Sequence, residues 1–267
     1  MSAGGNAPSV GLPAFFEYAA PKTWRAIDFI SDLHLSPQLP RTLEAFDRHL
    51  RETPADAVFI LGDLFEVWVG DDMRERAFER RCTQILADAS SLRQLAFMVG
   101  NRDFLVAGAM LRDSGMMGLP DPTILSAWGQ RVLLTHGDAL CLADTAYQAF
   151  RREVRGERWQ GDFLARSLDE RLAVAAEIRR RSQERQRYDG DPDADIDTGT
   201  AVAWMHAMGT GEMVHGHTHR PGSQALAPGF QRHVLSDWDL DEDTPRAEVL
   251  RLTRDGFRRL ALTPAPR

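Results

Sequence analysis

Polar side chains with metal-binding chemistry follow five apolar segments of this 267-residue chain. They are Asp32 and His34, Asp63, Asn101, His136, and His217 and His219. Carboxylate, amide and imidazole groups together suit manganese, iron or zinc, and the lack of cysteine in the set argues against a structural zinc site. The set holds more donors than one ion needs, and two ions bridged by a carboxylate are usual in phosphate-ester cleavage. These residues therefore predict a two-metal site for phosphate chemistry.

The segments before these residues are predicted to be buried strands of a parallel sheet. Residues Ala57–Leu61 form a continuous apolar run that ends at Gly62, which is typical of a strand buried on both faces. From Asp32 to His136 the polar clusters recur roughly every 30–40 residues, a spacing that suits βαβ units. Because α/β sheets bind ligands at the carboxyl ends of their strands, we expect each unit to deliver one cluster to the same edge of the sheet.

Asp63 on its own has two interpretations. It could be the N-cap of the following helix, since aspartate is among the favoured capping residues. The other four clusters favour a metal ligand, and a position in the middle of the sheet predicts that Asp63 bridges both ions. Asp32 and His34, like His217 and His219, are two residues apart, so an extended segment would place both side chains of each pair on one side.

The chain is predicted to have three parts. Residues 1–23 are rich in Gly, Pro and Ala, as in a flexible N-terminal arm. Residues 24–143 and 198–267 are expected to form the metal-binding domain, with antiparallel strands in the tail. The interval between His136 and His217 is too long for one crossover. Residues 144–197 are therefore expected to form a helical insertion, whose eleven arginines indicate either a solvated face or a lid over the site.

The composition excludes several classes of protein. A hydrophobic content of 43% and a charged content of 27% are those of a globular chain. The net charge of −7 gives no support for general nucleic-acid binding. The sequence shows neither a secretory signal nor an apolar run of about 18 residues that could cross a bilayer. We therefore expect a cytoplasmic protein in which Cys82 and Cys141 are free thiols.

Taken in order, the polar clusters resemble the motifs of the calcineurin-like metallophosphoesterases. The matching segments are Asp32-Leu33-His34, Gly62-Asp63-Leu64-Phe65-Glu66, Gly100-Asn101-Arg102-Asp103, His136-Gly137-Asp138 and Gly216-His217-Thr218-His219. The resemblance implies an α/β fold, a four-layer α/β/β/α sandwich with a helical lid, and two divalent ions, of which Mn²⁺ is the expected one. It assigns one ion to Asp32, His34, Asp63 and His219, and the other to Asp63, Asn101, His136 and His217.

A narrower resemblance is carried by residues 62–72 and 135–151, the latter including Asp144 and Tyr147. These segments are similar to a branch of the family that acts on UDP-2,3-diacylglucosamine in lipid A biosynthesis. The branch implies attack of a metal-bound hydroxide on the α-phosphorus, which gives UMP and 2,3-diacylglucosamine 1-phosphate. It also implies a lipid-linked UDP-sugar substrate and peripheral attachment to the cytoplasmic face of the inner membrane. We expect a monomer without a nucleic-acid partner.

The resemblance also implies roles for individual residues. Catalysis is expected from Asp63, Asn101, Arg102 and His136. Substrate contacts are expected from Asn101, Arg102, Asp144, Ser182, Gln186 and His217. Orientation of the metal ligands is expected from Glu66, Asp103 and Asp138. A lysine that the family uses late in the insertion has no counterpart, because Asp189 stands near its position.

Arg102 supports cleavage of a diphosphate on chemical grounds. Most of the family has histidine there, and histidine can protonate an alkoxide leaving group. Arginine does not lose its proton in proteins, but it can bind charge that develops on a phosphoryl group. A phosphate leaving group needs little protonation, since its second pKa is about 6. The alternative is a purely structural pair between Arg102 and Asp103.

Two other functions remain open from the sequence. The first is a dimetal phosphoesterase that acts on a nucleotide, a phosphodiester or a phosphoprotein. The apolar positions of the insertion argue against a small, fully soluble substrate. The second is a scaffold of the same fold that has lost catalysis. Such chains lose metal ligands, whereas every ligand position is filled here.

Overall fold

The computed structural model describes residues 12–189 and 195–262, which contain two six-stranded sheets. Sheet 1 has the strand order β12-β11-β2-β3-β4-β5, and its members β2 to β5 run parallel. Its strands are β2 (Ala26–Ile30), β3 (Ala57–Leu61), β4 (Gln94–Met98), β5 (Met117–Leu119), β11 (Glu248–Thr253) and β12 (Gly256–Ala261).

Sheet 2 contains the remaining described strands in the order β1-β6-β7-β8-β10-β9. These strands are β1 (Phe16–Ala19), β6 (Thr123–Ala127), β7 (Gln130–Thr135), β8 (Glu212–His215), β9 (Gly222–Ala227) and β10 (Phe230–Val234). The pairs β7–β8 and β8–β10 are parallel, whereas β6–β7 and β9–β10 are antiparallel hairpins.

Apolar side chains of both sheets fill the space between them, and β3 shows how. Ala57, Phe59 and Leu61 pack between the sheets, whereas Val58 and Ile60 pack in the core beneath the helices. All five are fully buried. Since successive side chains of a strand point to opposite faces, a strand covered on both sides requires the continuous apolar run that the sequence shows.

Helices cover the outer faces of both sheets. On sheet 1 lie α1 (Pro40–Glu52), α2 (Ala77–Ser90) and α3 (Gly108–Ser114), and their buried side chains join those of β2 to β4. On sheet 2 lies α7 (Thr198–Ala207), whose Trp204 and Met205 pack against Leu133 and Met213. The result is the four-layer α/β/β/α sandwich, so the predicted fold class is confirmed.

The interval predicted to be an insertion contains three helices, α4 (Thr145–Val154), α5 (Glu157–Leu164) and α6 (Leu168–Asp189). Phe163 is buried in the core of the sheet-1 side, and Trp159, Leu168 and Leu172 pack against that core. Two short 3₁₀ helices lie next to this insertion. Asp138–Leu140 precedes it in the sequence, and Asp71–Glu75 contacts it through the hydrogen bond between Asp72 and Arg171. Within the described residues, no helix is both long enough and apolar enough to cross a membrane.

Two sequence predictions about the fold are wrong, and two strands were missed. The loose arm predicted for residues 1–23 contains β1, which pairs parallel with β6 from Phe16↔Thr123 to Ala19↔Ser126. A four-residue strand with one half-buried side chain leaves no periodic signal to detect. The short strands β5 and β6 were not predicted either. The polar clusters do not share one sheet, because β7 and β8 belong to sheet 2.

Candidate metal centre

All seven predicted metal ligands lie just beyond strand ends. The loops after β2, β3 and β4 of sheet 1 carry four of them, and those after β7 and β8 of sheet 2 carry the other three. The parallel strands of the two sheets thus present their carboxyl ends to a common edge. We call this edge, with its seven ligands, the metal edge: Asp32, His34, Asp63, Asn101, His136, His217 and His219.

The side chains at the metal edge form two overlapping groups. Ligand atoms of Asp32, His34 and His219 lie within 4.8 Å of one another, and so do those of Asp32, Asp63 and His136. Nε2 of His34 is 3.4 Å from Nε2 of His219. The tertiary structure therefore brings together residues that are up to 187 positions apart, counted from Asp32 to His219.

Asn101 connects the remaining ligands to these groups. Its Oδ1 lies 2.9 Å from Nε2 of His136 and 2.9 Å from Nδ1 of His217. Nε2 of His136 is in turn 3.7 Å from Oδ1 of Asp63. Oxygens of Asp63 and Asn101 thus both lie near Nε2 of His136, and these three residues belong to the set predicted for the second metal.

Five of the seven ligands have a left-handed backbone, and this corrects one prediction. The φ angles are 54° at Asp32, 48° at His34, 52° at Asp63, 65° at His217 and 50° at His219. The sequence analysis assumed that the Asp-x-His and His-x-His segments are extended. These φ angles show that they are not. Non-glycine residues adopt this conformation at a cost, and such strain clusters at functional sites. Among the described residues, the only other non-glycine residue with positive φ is Trp128.

Two glycines of the motifs are required by close approach to the ligands. A Cβ on Gly100 would lie 2.1 Å from Oδ1 of Asp63, and one on Gly216 would lie 2.3 Å from Oδ2 of Asp32. Both distances are far below van der Waals contact. The glycines of the Gly-Asn-Arg-Asp and Gly-His-Thr-His segments therefore make room for the two carboxylates.

Burial and charge perturb the ionisable groups of the metal edge. Burial disfavours a charged imidazole, but the carboxylates of Asp63, Asp32 and Asp138 outweigh it and raise the pKa of His136 to about 9. Burial, together with the charge of His136, lowers the pKa of His217 to about 4. Burial alone would raise the pKa of Asp32, but the hydrogen bond with His219 and nearby imidazoles hold it well below its usual value. The carboxylates thus create a field that favours cations.

The donor set fits divalent metal ions. Nδ1 of His136 lies 2.9 Å from the carbonyl oxygen of Leu61 and donates its hydrogen there, so in the neutral imidazole the lone pair is on Nε2. That lone pair faces Oδ1 of Asn101, which is also an acceptor. The Nε2 atoms of His34 and His219 face each other in the same way. A divalent metal can take the place of a proton at each of these contacts, and imidazole with carboxylate suits such an ion.

Asp103 joins two of the ligand loops through backbone hydrogen bonds. Its carboxylate accepts N–H groups of Leu64 at 2.7 Å, Gly100 at 2.8 Å, and Asp63 and Phe65 at 3.3 Å each. Burial and the charge of Asp63 raise its pKa to about 6. Among the ion pairs of the described residues there is none between Arg102 and Asp103. The structural pair that the sequence left open is therefore not formed.

Asp138 is linked to the insertion rather than to a ligand. Its Oδ2 accepts the hydroxyl of Tyr147 at 2.7 Å and Nε of Arg151 at 2.8 Å, both from α4. The ring of Tyr147 stacks on that of His217, with centroids 6.0 Å apart and planes 27° apart. The charge of Asp138 acts on His136 and His217, and Tyr147, which the sequence analysis had quoted in a motif without a role, contacts both Asp138 and His217.

The predicted substrate residues of the insertion are placed less directly. Asp144 is the N-cap of α4, where its Oδ1 accepts the N–H of Tyr147 at 2.8 Å. Ser182 and Gln186 belong to the backbone of α6, but their side chains lie outside the described residues. Their predicted contacts with substrate, like that of Asp144, stay predictions.

Sequence reasoning missed several residues of the site. Ser31 donates to Asp32, and Asp237 lies 3.8 Å from Nδ1 of His219. Ser31 stands next to a ligand and could have been suspected from position alone. Asp237 follows β10, outside every motif, and no signal in the sequence points to it.

Comparison with known proteins assigns the family. Residues 26–221 match the model of the calcineurin-like phosphoesterases. The chain belongs to this family, and it is a metal-dependent hydrolase with the donors for two ions. A solved structure with a similar fold is vacuolar protein sorting 29 from Cryptosporidium parvum, at a TM-score of 0.47 and 13% identity over 90% of this chain and 92% of that one.

The curated relatives are more specific. A protein from Xanthomonas campestris pv. campestris is 42% identical over 86% of this chain and 96% of its own length, and it is named UDP-2,3-diacylglucosamine hydrolase. A Ralstonia nicotianae protein of the same name is 43% identical over 85% of this chain and 89% of its own. Both the family resemblance and the narrower one drawn from the sequence are confirmed.

Proposed function

We propose that this chain hydrolyses the diphosphate bond of UDP-2,3-diacylglucosamine and releases UMP and 2,3-diacylglucosamine 1-phosphate. The observation that carries the proposal is the 42% identity to the Xanthomonas campestris hydrolase over 96% of that protein. The convergence of seven donors at the metal edge supports the chemistry. It also argues against a scaffold that has lost its ligands.

The donors would hold two divalent cations, with Mn²⁺ as the expected metal. When bound, the cations would supply a nucleophile derived from water at neutral pH and neutralise charge on the diphosphate. We assign one ion to Asp32, His34, Asp63 and His219, and the other to Asp63, Asn101, His136 and His217.

Arg102 is proposed to stabilise charge on the diphosphate. Its N–H donates to Oδ1 of Asp63 at 2.8 Å and its carbonyl accepts the N–H of Trp68 at 3.1 Å, so its backbone is held beside the metal edge. Its side chain lines a cavity of about 640 Å³ together with His34, His219 and Arg179. Nε of Arg102 is buried and has no hydrogen-bond partner among the described residues. A guanidinium so placed can bind phosphoryl oxygens.

The insertion is proposed to bind the acyl chains. The partly exposed rings of Phe104 and Trp159 lie 6.2 Å apart, and Trp159 stacks on the buried Phe163 with centroids 4.6 Å apart. Leu164, at the end of α5, is 44% exposed. An apolar surface of this kind, with arginines around it, suits a lipid held at the cytoplasmic face of the inner membrane. We propose that the protein works there as a peripheral monomer.

A substrate comparison tests the assignment. The purified protein, supplied with Mn²⁺, is assayed with UDP-2,3-diacylglucosamine, UDP-glucose and p-nitrophenyl phosphate. We expect rapid cleavage of the first alone, because only it offers acyl chains to the insertion. Similar rates on all three would instead indicate a general phosphoesterase.

The site of attack and the role of Arg102 have separate tests. Turnover in ¹⁸O-labelled water is expected to place the label in UMP, and label in the sugar 1-phosphate would refute attack on the α-phosphorus. Arg102→Ala is expected to lower kcat about 100- to 1,000-fold, the effect of losing a donor to transition-state charge. Its bound metal, measured by elemental analysis, should not change. An unchanged kcat would remove the proposed role.

A further inference from the structure

Helix α6 of the insertion reaches the metal edge through one arginine. Arg179 forms an ion pair with Oε1 of Glu66, a residue of the Gly-Asp-Leu-Phe-Glu segment. The other oxygen of Glu66, Oε2, lies 3.1 Å from Nδ1 of His34. Three side chains from three different parts of the chain thus form a row that ends on a metal ligand.

The order of atoms in this row matters for the metal. A carboxylate beside Nδ1 of His34 favours the tautomer with hydrogen on that atom, which leaves the lone pair on Nε2. Nε2 is the atom that faces Nε2 of His219, 3.4 Å away. Glu66 therefore turns the metal-binding nitrogen toward the site. Nδ1 of His34 has no aligned hydrogen bond among the described residues, so its contact with Glu66 is a close electrostatic approach.

Glu66 needs a partner to hold this position. Its side chain is 16% exposed, and burial of a free carboxylate is unfavourable. Arg179 supplies an opposite charge through its ion pair with Oε1 of Glu66. Arg102 faces the same cavity without a hydrogen bond from Nε, whereas Arg179 makes the direct contact.

The backbone of α6 is itself anchored close by. Arg171, which is 4% exposed, donates from Nη1 to the carbonyl oxygen of Val69 at 2.5 Å and to Oδ1 of Asp72 at 2.9 Å. This anchor lies about two helical turns before Arg179, so the backbone of α6 that carries Arg179 is held in place. Its ion pair with Glu66 is therefore a built contact between the insertion and the metal edge.

We propose that Arg179 is a positioning residue for the metal site: it fixes Glu66, and Glu66 fixes the imidazole of His34. In this arrangement the insertion contributes to metal binding even when no substrate is present. This role of Arg179 is the same whichever phosphate ester the protein cleaves. A residue that only contacts substrate would not change metal binding when substrate is absent, whereas Arg179 is expected to change it.

Mn²⁺ binding to the metal-stripped full-length protein, measured by calorimetry without substrate, tests the inference. Glu66→Gln is expected to weaken Mn²⁺ about 10- to 100-fold, as for other partners of a metal ligand. Arg179→Ala is expected to weaken it about 2- to 5-fold, because Arg179 acts at one remove and its side chain is 45% exposed. In the Glu66→Gln background, Arg179→Ala should have no further effect, since the two residues act in series.

Two controls keep the test decisive. Arg181→Ala removes an arginine of the same helix that bonds Glu177 at 2.6 Å, and it should leave Mn²⁺ affinity unchanged. Should Arg179→Ala lower the Tm of the metal-free protein, Arg179→Lys takes its place and is expected to recover most of the affinity. Wild-type Mn²⁺ affinity in Arg179→Ala, with a change only in KM for substrate, would overturn the inference. Equal weakening by Arg179→Ala in both backgrounds would overturn it too.

Discussion

The metal edge and the insertion are held in place by different kinds of contact. At the metal edge, backbone groups hold the ligands: the carbonyl of Leu61 binds His136, and the N–H of His217 donates to Asp32 at 3.0–3.1 Å. The insertion is attached by apolar packing around Phe163 and by arginine side chains. Their partners are Asp138 for Arg151, the carbonyl of Gly100 for Arg155, Val69 and Asp72 for Arg171, and Glu66 for Arg179.

This difference suits the two tasks. Donors to a pair of metal ions must keep their positions within fractions of an ångström, and backbone hydrogen bonds leave them little freedom. A long guanidinium side chain can release its partner and bind it again without unfolding either element. The arginine contacts of the insertion can therefore open and re-form more easily than the backbone hydrogen bonds of the metal edge. Four of the eleven arginines that indicated either a solvated face or a lid are thus fixed contacts.

The largest expected difference between the two regions comes from replacing one glycine in each by alanine. Gly100→Ala would place Cβ 2.1 Å from Oδ1 of Asp63, whereas Gly161→Ala, in α5, meets no atom within 4 Å. We expect Gly100→Ala to lose bound metal and at least about 100-fold in activity, since a misplaced ligand is not tolerated. Gly161→Ala should keep both and be slightly more stable, by up to about 1 kcal/mol. Elemental analysis and thermal unfolding measure the pair, and a metal-replete Gly100→Ala would show the metal edge to be adaptable.

The framework beneath the metal edge should be sensitive to acid. Asp28 in β2 is fully buried, and it binds Thr53 and Nε of Arg251 at 2.6 Å each, with His49 at 3.4 Å. Burial alone would raise its pKa, but these partners lower it to about 2 from an ordinary 3.8. The folded state therefore binds this proton more weakly than the unfolded chain. Asp28 then contributes about 2 kcal/mol above pH 4, which is lost as the pH falls toward 2.

Urea unfolding between pH 2 and 7 measures this contribution. At pH 7, Asp28→Ala is expected to cost about 3–5 kcal/mol, because it leaves Arg251 without its partner in a buried site. Its stability should also fall less steeply with acid than that of the wild type. Asp47→Ala, which removes an exposed pair with Arg51, is the control and should change little. Parallel pH curves for wild type and Asp28→Ala would exclude Asp28 as the source.

Removal of the buried arginine of α6 is expected to loosen the insertion alone. Arg171→Ala deletes the charged contacts with Val69 and Asp72, at a cost of about 1–3 kcal/mol. Hydrogen exchange should rise in α6 but not in β2 to β4, and Arg158→Ala, whose side chain is 98% exposed, should leave exchange unchanged. Faster exchange throughout sheet 1 would show that the two regions are not independent.

Substitution of Asp144 is expected to have the smallest effect. It tests whether this residue only caps α4 or also contacts substrate. As the N-cap of α4 it should contribute about 1 kcal/mol, which Asp144→Ala loses and Asp144→Asn keeps, because asparagine caps equally well. Thermal unfolding of both variants tests the cap. If Asp144 also contacts substrate through its charge, Asp144→Asn should raise KM at unchanged Tm. Unchanged KM and Tm in Asp144→Asn would leave only the capping role.

The narrow motif shows why local patterns carry only part of the information. Residues 62–72 pointed to one branch of the family, but the partners of Asp71 and Asp72 were not foreseeable. Asp71 accepts the N–H groups of Ala109 and Met110 at 2.8 and 2.9 Å and so caps α3, and Asp72 binds Arg171. These partners are up to 99 positions away. Periodicity reports which face of a strand or helix is covered, but not by which residue.

From the sequence alone, the donor types, their place after apolar strands and the family could be determined, because these are local features of composition and spacing. The tertiary structure decided the rest: that the strand ends come from two sheets, that five ligands adopt positive φ, and that arginines of the insertion bind the metal-edge loops. The physical reason is that strain and ion pairs depend on what packs against a residue from elsewhere in the chain. The other four polar clusters predicted that Asp63 is a metal ligand, but only packing put Gly100 and Arg102 against its carboxylate.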